Sequence, residues 1–431
     1  MIRRKKTAGK GIRKNELIGG LTTFLTICYV TAVNPVILNA NGEGIPISGA
    51  LTATVLLTSL VTLIMGLYAD LPFAVAPGMG INAFFAYQLV LTQHVPWQTG
   101  LGITFWAGVI FLILSVLPVR EKIAAAIPPS IRSATAIGIG LFLAFIGLKN
   151  GRIIGADPAT LIHLNPISFE SALVWLGLVM IFILHYKRNA LAFLFPIVTI
   201  TVLEAFRHKT SLPEKLFSLP DFSSAFLKTD FLGSLDLSLA PSIAAIFLTD
   251  LFDSISTLVG VSRATGLVDE NGTPKNFKKG LIVDSLATLF AGLFGTSAGT
   301  AYIESAAGIE AGARTGQASV VTALLFLPLL FVAPLVGLIP IYATAPVLIF
   351  VGLLMCQEIK TLANCDWPNL FPALLVIVLI PLTFSITHGV LIGVVAATAV
   401  QGFRKGIRSV PTAQVILAVL CLALIAIEMS R

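Results

Sequence analysis

Charged residues are scarce in this chain of 431 residues. Asp, Glu, Lys and Arg make up 11% of it and hydrophobic residues 56%, whereas an average soluble domain is about 25% charged. A soluble protein of this length needs polar residues to cover its surface. The composition therefore excludes an ordinary soluble enzyme, a secreted domain and a disordered scaffold, and it predicts a polytopic membrane protein.

Motifs for metal, redox or nucleotide chemistry are also missing. The four cysteines form no CxxC pair, and no two of the five histidines have the spacing of metal ligands. The phosphate-binding motif GxxxxGKS/T does not occur, so ATP is not the expected energy source. We therefore expect no enzyme activity, no cofactor and no metal.

Excess positive charge is confined to one end of the chain. Seven of the 28 Lys and Arg residues lie in the first fourteen positions without an acid, and the remaining 21 equal the number of Asp and Glu residues. The net charge of +7 therefore belongs to a basic tail, residues 1–16, and not to a nucleic-acid-binding face. The positive-inside rule predicts that this tail is cytoplasmic, and the full-length apolar run that follows it does not fit a cleaved signal peptide.

Apolar runs of membrane-spanning length recur along the chain. Seven precede a polar stretch at 207–237 and seven follow it, at 17–39, 48–69, 71–91, 101–118, 130–149, 169–186, 189–206, 238–261, 279–296, 298–313, 316–339, 343–361, 369–385 and 387–404. Because each group is odd in number, the second should be inverted relative to the first. Alternation then puts every short basic loop except 150–168 on the cytoplasmic side. A last run, 411–429, is either a fifteenth span or a helix lying on the membrane.

The third run of each group is a poor continuous helix. Prolines and glycines interrupt residues 71–85 before Asn82, and residues 295–308 are small, polar and rich in glycine. Paired broken segments in inverted halves point to the substrate site of a transporter near the membrane midplane. Two kinked packing helices are the alternative.

Acidic residues within the predicted spans concentrate in the second half. Such residues are costly in a membrane and usually face the bundle interior or a cavity. Asp250, Asp253 and Thr257 are spaced i, i+3 and i+7, so they share one helix face. Desolvation and mutual repulsion disfavour two charges there, so at least one of the two carboxyl groups should be protonated, as a proton relay requires. A helix-bracing role is the alternative for Asp250, and Asp284 in the ninth run is a packing or coupling partner.

Glu304 lies in the broken tenth run. If the chain is extended up to about Thr300 and helical beyond it, Glu304 lies in the first turns of a half-helix, near free backbone N–H groups and the positive end of the helix dipole. Its carboxylate can then accept hydrogen bonds from the N–H groups of a heterocycle. Phe84 and Phe85 follow the other broken segment, where an aromatic ring can stack on a flat ligand.

Several long stretches resemble the purine permeases of the AzgA-like branch of the nucleobase–cation symporters. They are LPFAVAPGMGINAFF at 71–85, FLTDLFDSISTLVGV at 247–261, TSAGTAYIESAAGIEAGARTG at 296–316, FVGLLM at 350–355 and PLTFSITHG at 381–389. The resemblance implies an all-α fold of 7+7 inverted repeats with short strands in spans 3 and 10. Its core domain would comprise 17–118 and 238–339 and its gate domain 119–206 and 340–404, with an extracytoplasmic connection at 207–237 and a hydrophobic C-terminal segment at 405–431.

The resemblance also implies a site and an activity. Span 8 and the strands would enclose a purine base through Asp253, Glu304, Thr257, Asn82, Ala83, Phe84 and Tyr302, with Asp253, Asp250 and Asp284 as candidates for proton coupling. Thr257 stands where relatives have a histidine. The implied function is import of adenine, guanine or hypoxanthine across the inner (plasma) membrane by proton symport. Another nucleobase (xanthine, urate or uracil), sodium coupling and an uncoupled channel stay open, as does a homodimer.

The topology predicts the accessibility of two engineered thiols. Asn276→Cys, in the predicted cytoplasmic loop 262–280, should not react in intact cells with a membrane-impermeant maleimide, because positively charged loops remain inside. Thr160→Cys, in the predicted outside loop 150–168, is the matched positive control, and the parent chain reports on the native cysteines. Labelling of Asn276→Cys from outside would contradict the fourteen-span count.

Overall fold

Helices dominate the computed structural model, which describes residues 12–117, 128–208, 213, 215–268, 274–363, 365–406 and 410–429. Eight helical segments within this part are long and apolar enough to cross a membrane: Lys14–Gly42, Ile47–Ala69, Trp97–Val116, Pro129–Asn150, Phe169–Tyr186, Leu237–Ala264, Ile341–Leu362 and Ile386–Arg404. Shorter apolar helices accompany them. The predicted all-α polytopic fold is confirmed.

The first half of the chain follows the predicted runs closely. Its elements are α1 (Lys14–Ile27), α2 (Val30–Leu38), α3 (Ile47–Ile64), β1 (Val75–Pro77), α4 (Met79–Ala83), α5 (Trp97–Val116), α6 (Pro129–Asn150), β2 (Ile154–Asp157), β3 (Leu161–Leu164), α7 (Phe169–Tyr186) and α8 (Leu194–His208). A π-helical segment, Phe84–Thr92, continues α4. The predicted third span is therefore a strand followed by a helix, as its prolines and glycines indicated.

The second half of the chain is also mainly helical, with one short strand. Its elements are α9 (Ala240–Ala264), α10 (Phe277–Phe294), β4 (Gly299–Ala301), α11 (Ser305–Glu310), α12 (Gly316–Phe326), α13 (Ala333–Val336), α14 (Ile341–Met355), α15 (Ile359–Leu362), α16 (Trp367–Thr383), α17 (Ile386–Lys405) and α18 (Thr412–Met429). Each predicted apolar run contains a helix, and the described part of the 207–237 stretch contains the end of α8 and two short 3-10 turns. The division into seven plus seven spans stays a prediction.

Sequence reasoning missed one element, the hairpin of β2 and β3. The two strands pair antiparallel from Ile154 opposite Leu164 to Asp157 opposite Leu161. The Asp157 carboxylate accepts hydrogen bonds from the backbone N–H groups of Ala159 and Thr160, both at 2.8 Å. The sequence signal was weak, because each strand contains only one β-branched residue and only the Asp157-Pro158 pair between them is typical of a turn.

The two broken segments meet inside the bundle. Strands β1 and β4 pair antiparallel, with Val75 opposite Ala301 and Pro77 opposite Gly299. The Thr62 hydroxyl on α3 also contacts the backbone N and O of Val75, at 3.0 and 3.1 Å. The predicted short strands in spans 3 and 10 are thus present, and each is hydrogen-bonded to the other across the two halves of the chain.

Glycines bring helices of the two halves into backbone contact. A Cβ atom added to Gly316 at the start of α12 would lie 1.9 Å from the carbonyl oxygen of Gly66, and one added to Gly352 on α14 would lie 2.3 Å from that of Gly140 on α6. Small residues allow such close approach, on which helix association in membranes depends. The two halves therefore pack as one interlocked bundle.

Gly316→Ala should destabilise the protein, because its methyl group would overlap the Gly66 carbonyl unless the two helices move apart. Overpacking of this kind costs about 1–3 kcal/mol. Thermal unfolding of the detergent-solubilised protein measures the effect. Gly260→Ala is the matched control, since no atom lies within 4 Å of the added Cβ there. Equal unfolding temperatures for the two variants would mean that this close contact does not limit stability.

Candidate functional site

The predicted acid Asp284 connects three elements at the centre of the bundle. It lies on α10, it is fully buried, and its carboxylate accepts a hydrogen bond from the backbone N–H of Ala301 at 2.7 Å. The hydroxyl of Ser254 on α9 donates to its other oxygen. Asp284 therefore holds β4 against α9 and α10, a packing role that sequence analysis had allowed for.

Asp250 is also fully buried, one turn before Asp253 on α9. One carboxylate oxygen accepts a hydrogen bond from the Thr288 hydroxyl on α10. The other oxygen has no hydrogen-bond partner within the part of the chain that the structure describes. A buried acceptor without a partner is costly, so this oxygen is a natural place for a proton.

Asp253 reaches a cavity, unlike Asp250. The cavity has a volume of about 410 Å³ including its open mouth, and it lies between α4, α6, α9 and α14. Its wall is formed by Gly78, Gly80, Ile81, Arg132, Thr135, Ala136, Ile139, Thr249, Phe252, Asp253, Ser256 and Met355. Small-ligand sites are mostly apolar with a few polar groups, and the wall of this cavity has that composition.

Glu304 immediately precedes α11 at its N-cap position, whereas the sequence predicted it in the first turns of the half-helix. It is half-buried, and its carboxylate accepts a hydrogen bond from the hydroxyl of buried Tyr29 at 3.0 Å. Glu304 is not in the described wall of the cavity, whereas Asp253 is. Of these two acids, only Asp253 therefore lies at the cavity surface.

The other predicted contacts are distributed around the two strands. Asn82 on α4 is fully buried and accepts a hydrogen bond from Ser297, and the Tyr302 hydroxyl donates to the Pro77 carbonyl at 2.5 Å. Both side chains therefore brace the strand pair. Ala83 and Thr257 are buried outside the described wall of the main cavity. Phe84 lines a narrow crevice with Ile81, Ala245, Ile246, Thr249 and Ile386.

Sequence reasoning missed the wall that α6 contributes. Arg132 and Thr135 lie one turn apart near the start of this helix, and Met355 on α14 lies beside them. In the sequence, Arg132 resembles the basic residues that flank many membrane spans. The sequence feature that could have identified Arg132 as a cavity residue is its position within an apolar helix, where ionisable residues usually face a cavity.

Paired broken segments beside a cavity that contains an acid, within a multi-pass helical bundle, define a membrane transporter. The fold agrees with this class. The chain superimposes on the transmembrane domain of a cyanobacterium bicarbonate transporter, BicA, with a TM-score of 0.66 over 88% of this chain and 97% of that chain. At 17% identity the likeness concerns the fold alone.

The chain belongs to the permease family, whose model matches residues 14–392. It is 38% identical to the adenine permease AdeP of Escherichia coli, over 94% of this chain and 91% of that protein. It is 36% identical to the guanine/hypoxanthine permease PbuO of Bacillus subtilis, over 94% of this chain and 96% of that protein. These relatives confirm the resemblance drawn from the motifs, and they make the protein a permease and not an enzyme.

Proposed function

We propose that this protein imports purine nucleobases by secondary active transport. The relatives at 36–38% identity are purine permeases by name, and the observation that carries the proposal is the acid-lined cavity beside the β1–β4 pair. The Asp253 carboxylate can accept a hydrogen bond from a ring N–H, and the apolar side chains of Ile81 and Phe252 in the same wall can pack against a heterocycle. Adenine, guanine and hypoxanthine are the candidate substrates.

A division into core and gate domains would explain how a substrate in this cavity is transported. The packing of α1 on α12 and of α5 on α10 supports a core of 17–118 and 238–339, and the packing of α6 on α14 and α16 supports a gate of 119–206 and 340–404. The cavity wall combines α4 and α9 of the proposed core with α6 and α14 of the proposed gate. Movement of one domain against the other would then open the cavity to alternate sides of the membrane.

The remaining site residues have distinct roles in this proposal. Asp253 and Glu304 accept hydrogen bonds from the base, while Asn82, Ala83 and Phe84 supply backbone and ring contacts from span 3. Tyr302 orients β1 and β4, and Thr257 supports α9 one turn beyond Asp253. The Tyr29 hydroxyl, bonded to Glu304 at 3.0 Å, fixes the direction of that carboxylate.

Protons are the proposed coupling ion. Asp253 is open to the cavity and exchanges the proton, and Asp250 and Asp284 form a buried acidic group behind it. Of these two, Asp250 has the oxygen that lacks a partner, whereas both oxygens of Asp284 already accept hydrogen bonds. A proton shared between Asp253 and Asp250 is therefore favoured over one on Asp284.

The proposed location is the inner (plasma) membrane, with the N-terminus cytoplasmic. Large apolar side chains such as Val179 and Phe182 on α7 and Leu382 on α16 are 54%, 63% and 77% exposed, and lipid tails would cover them. Exposed apolar surface of this kind also leaves room for a homodimer. The basic residues of the N-terminal tail support the orientation.

Uptake of labelled purines by cells that express the protein tests the function and the coupling together. We expect concentrative uptake that rises with an inward proton gradient and collapses with an uncoupler, because the buried acids can exchange protons. A panel of unlabelled purines, xanthine, urate and uracil defines the substrate by competition. Concentrative uptake that survives collapse of the proton gradient and follows sodium would contradict proton coupling, and non-concentrative flux would indicate a channel.

Glu304→Gln should weaken base binding at least about tenfold, because it replaces an acceptor oxygen with a donor and leaves a substrate N–H unpaired. Asp253→Asn should chiefly abolish concentrative uptake while retaining part of the binding. Binding and uptake are measured separately on both variants. Glu310→Gln, an exposed acid at the end of α11, is the matched control. Unchanged affinity in Glu304→Gln would assign that carboxylate a structural role.

A further inference from the structure

Arg132 is the cationic side chain in the described wall of the cavity. It lies in the first turn of α6, where the helix dipole disfavours a positive charge. Its Nε atom is buried without a hydrogen-bond partner among the described residues. An unpaired buried donor on a charged group is costly, so the described residues leave part of the hydrogen-bonding capacity of this guanidinium unused.

Asp253 lies in the same wall, and the two side chains differ in hydrogen-bonding character. In the described part of the chain, no ion pair or hydrogen bond joins Arg132 to Asp253. Each therefore keeps hydrogen-bonding capacity for a ligand between them. A guanidinium only donates, through a rigid fork that fits two adjacent acceptors, and a carboxylate only accepts. The cavity thus presents a two-pronged donor from α6 and an acceptor from α9.

Purine bases differ in how they match this arrangement. A 6-oxopurine, such as guanine or hypoxanthine, presents two adjacent acceptors, O6 and N7, which an arginine can bind with both prongs. It also has an N1–H donor on the neighbouring edge. Adenine has the N7 acceptor beside an amino donor, and its N1 carries no hydrogen. If adenine bound in the same orientation, its amino group would face the Arg132 guanidinium, which is also a donor. The Asp253 carboxylate would find no N–H at N1 to accept from.

We propose that Arg132 is a specificity-determining residue that selects 6-oxopurines over 6-aminopurines. Its guanidinium donates to O6 and N7 of the base, and the Asp253 carboxylate accepts from N1–H. Ser256 lies in the same wall and adds a hydroxyl group to it, whereas the Thr135 hydroxyl donates to the Ile131 carbonyl of its own helix. This proposal rests on the proposed purine transport and narrows its substrate class.

Competition between hypoxanthine and adenine tests the proposal, because the two bases differ in the substituent at C6 and in whether N1 carries a hydrogen. The full-length protein is expressed in a bacterial host that lacks purine uptake, and uptake of labelled hypoxanthine and of labelled adenine is inhibited by each unlabelled base. The wild-type protein should favour hypoxanthine over adenine by at least about tenfold, the order expected for a two-pronged arginine contact. Arg132→Gln should reduce this ratio to about threefold or less, mainly by weakening hypoxanthine.

Two further variants complete the design. Arg132→Lys keeps the charge but loses the planar fork, so it should also lower the ratio, and it serves where Arg132→Gln does not reach the membrane. Arg188→Gln is the matched control, because Arg188 is exposed and pairs at 3.5 Å with exposed Glu310. This control should keep the wild-type ratio.

The possible results of this competition experiment distinguish the proposal about Arg132 from the proposed function. A wild-type protein that favours adenine, or that takes both bases equally, would overturn the proposal while leaving purine transport intact. An equal loss of both bases in the Arg132 variants would also overturn it, by assigning the residue a structural or gating role. Absence of uptake for every purine in the wild type, with the protein present in the membrane, would instead overturn the proposed function and this proposal with it.

Discussion

The two short strands at the centre of the bundle impose the constraint on which the rest of the structure depends. A membrane interior has no water to bind backbone groups, so a chain that leaves the helix there must satisfy every N–H and C=O internally. Strands β1 and β4 do this partly by pairing with each other, and the backbone N–H of Tyr302 donates to Ala74 at 2.9 Å. Side chains from neighbouring helices bind further backbone groups of these segments.

Those neighbouring helices carry small hydroxyl and acidic residues for this reason. The Ser319 hydroxyl on α12 contacts the carbonyl oxygens of Leu71 and Phe73 at 2.7 and 2.9 Å, and the Ser305 hydroxyl accepts from the backbone N–H of Ala74 at 3.0 Å. Asp284 performs the same task for Ala301. The intramembrane acid Asp284 therefore has a structural role in holding the strands. This role distinguishes it from Asp253, which lies at the cavity surface.

The cavity follows from the same break in the helices. Because α4 begins only after β1, Gly78, Gly80 and Ile81 line the cavity at the point where this helix begins, and Asp253 and Arg132 line its other sides. In the proposed division, a base held by both side chains would bridge core and gate. Binding of the substrate would then depend on the distance between α6 and α9. Alternating access would change this distance.

Much of this architecture could be predicted from the sequence alone. Low charge and long apolar runs determined a polytopic membrane protein, because only such segments are stable in lipid. Prolines and glycines at 71–80 and 295–308 determined where the helices break, since these residues are poor helix formers. The rarity of acids elsewhere in the spans singled out Asp250, Asp253, Asp284 and Glu304. These are local properties, and each can be recognised within a short stretch of sequence.

Only the tertiary structure decided what each of these residues contacts. Asp250 and Asp253 are three residues apart, yet one faces Thr288 on α10 and the other faces a cavity. Glu304 meets Tyr29, which is 275 positions away in the chain. Arg132 looked like an ordinary flanking charge until α6 was placed beside α9. Sequence spacing fixes the face of a helix on which a residue lies, but the element opposite that face is set by the packing of distant segments.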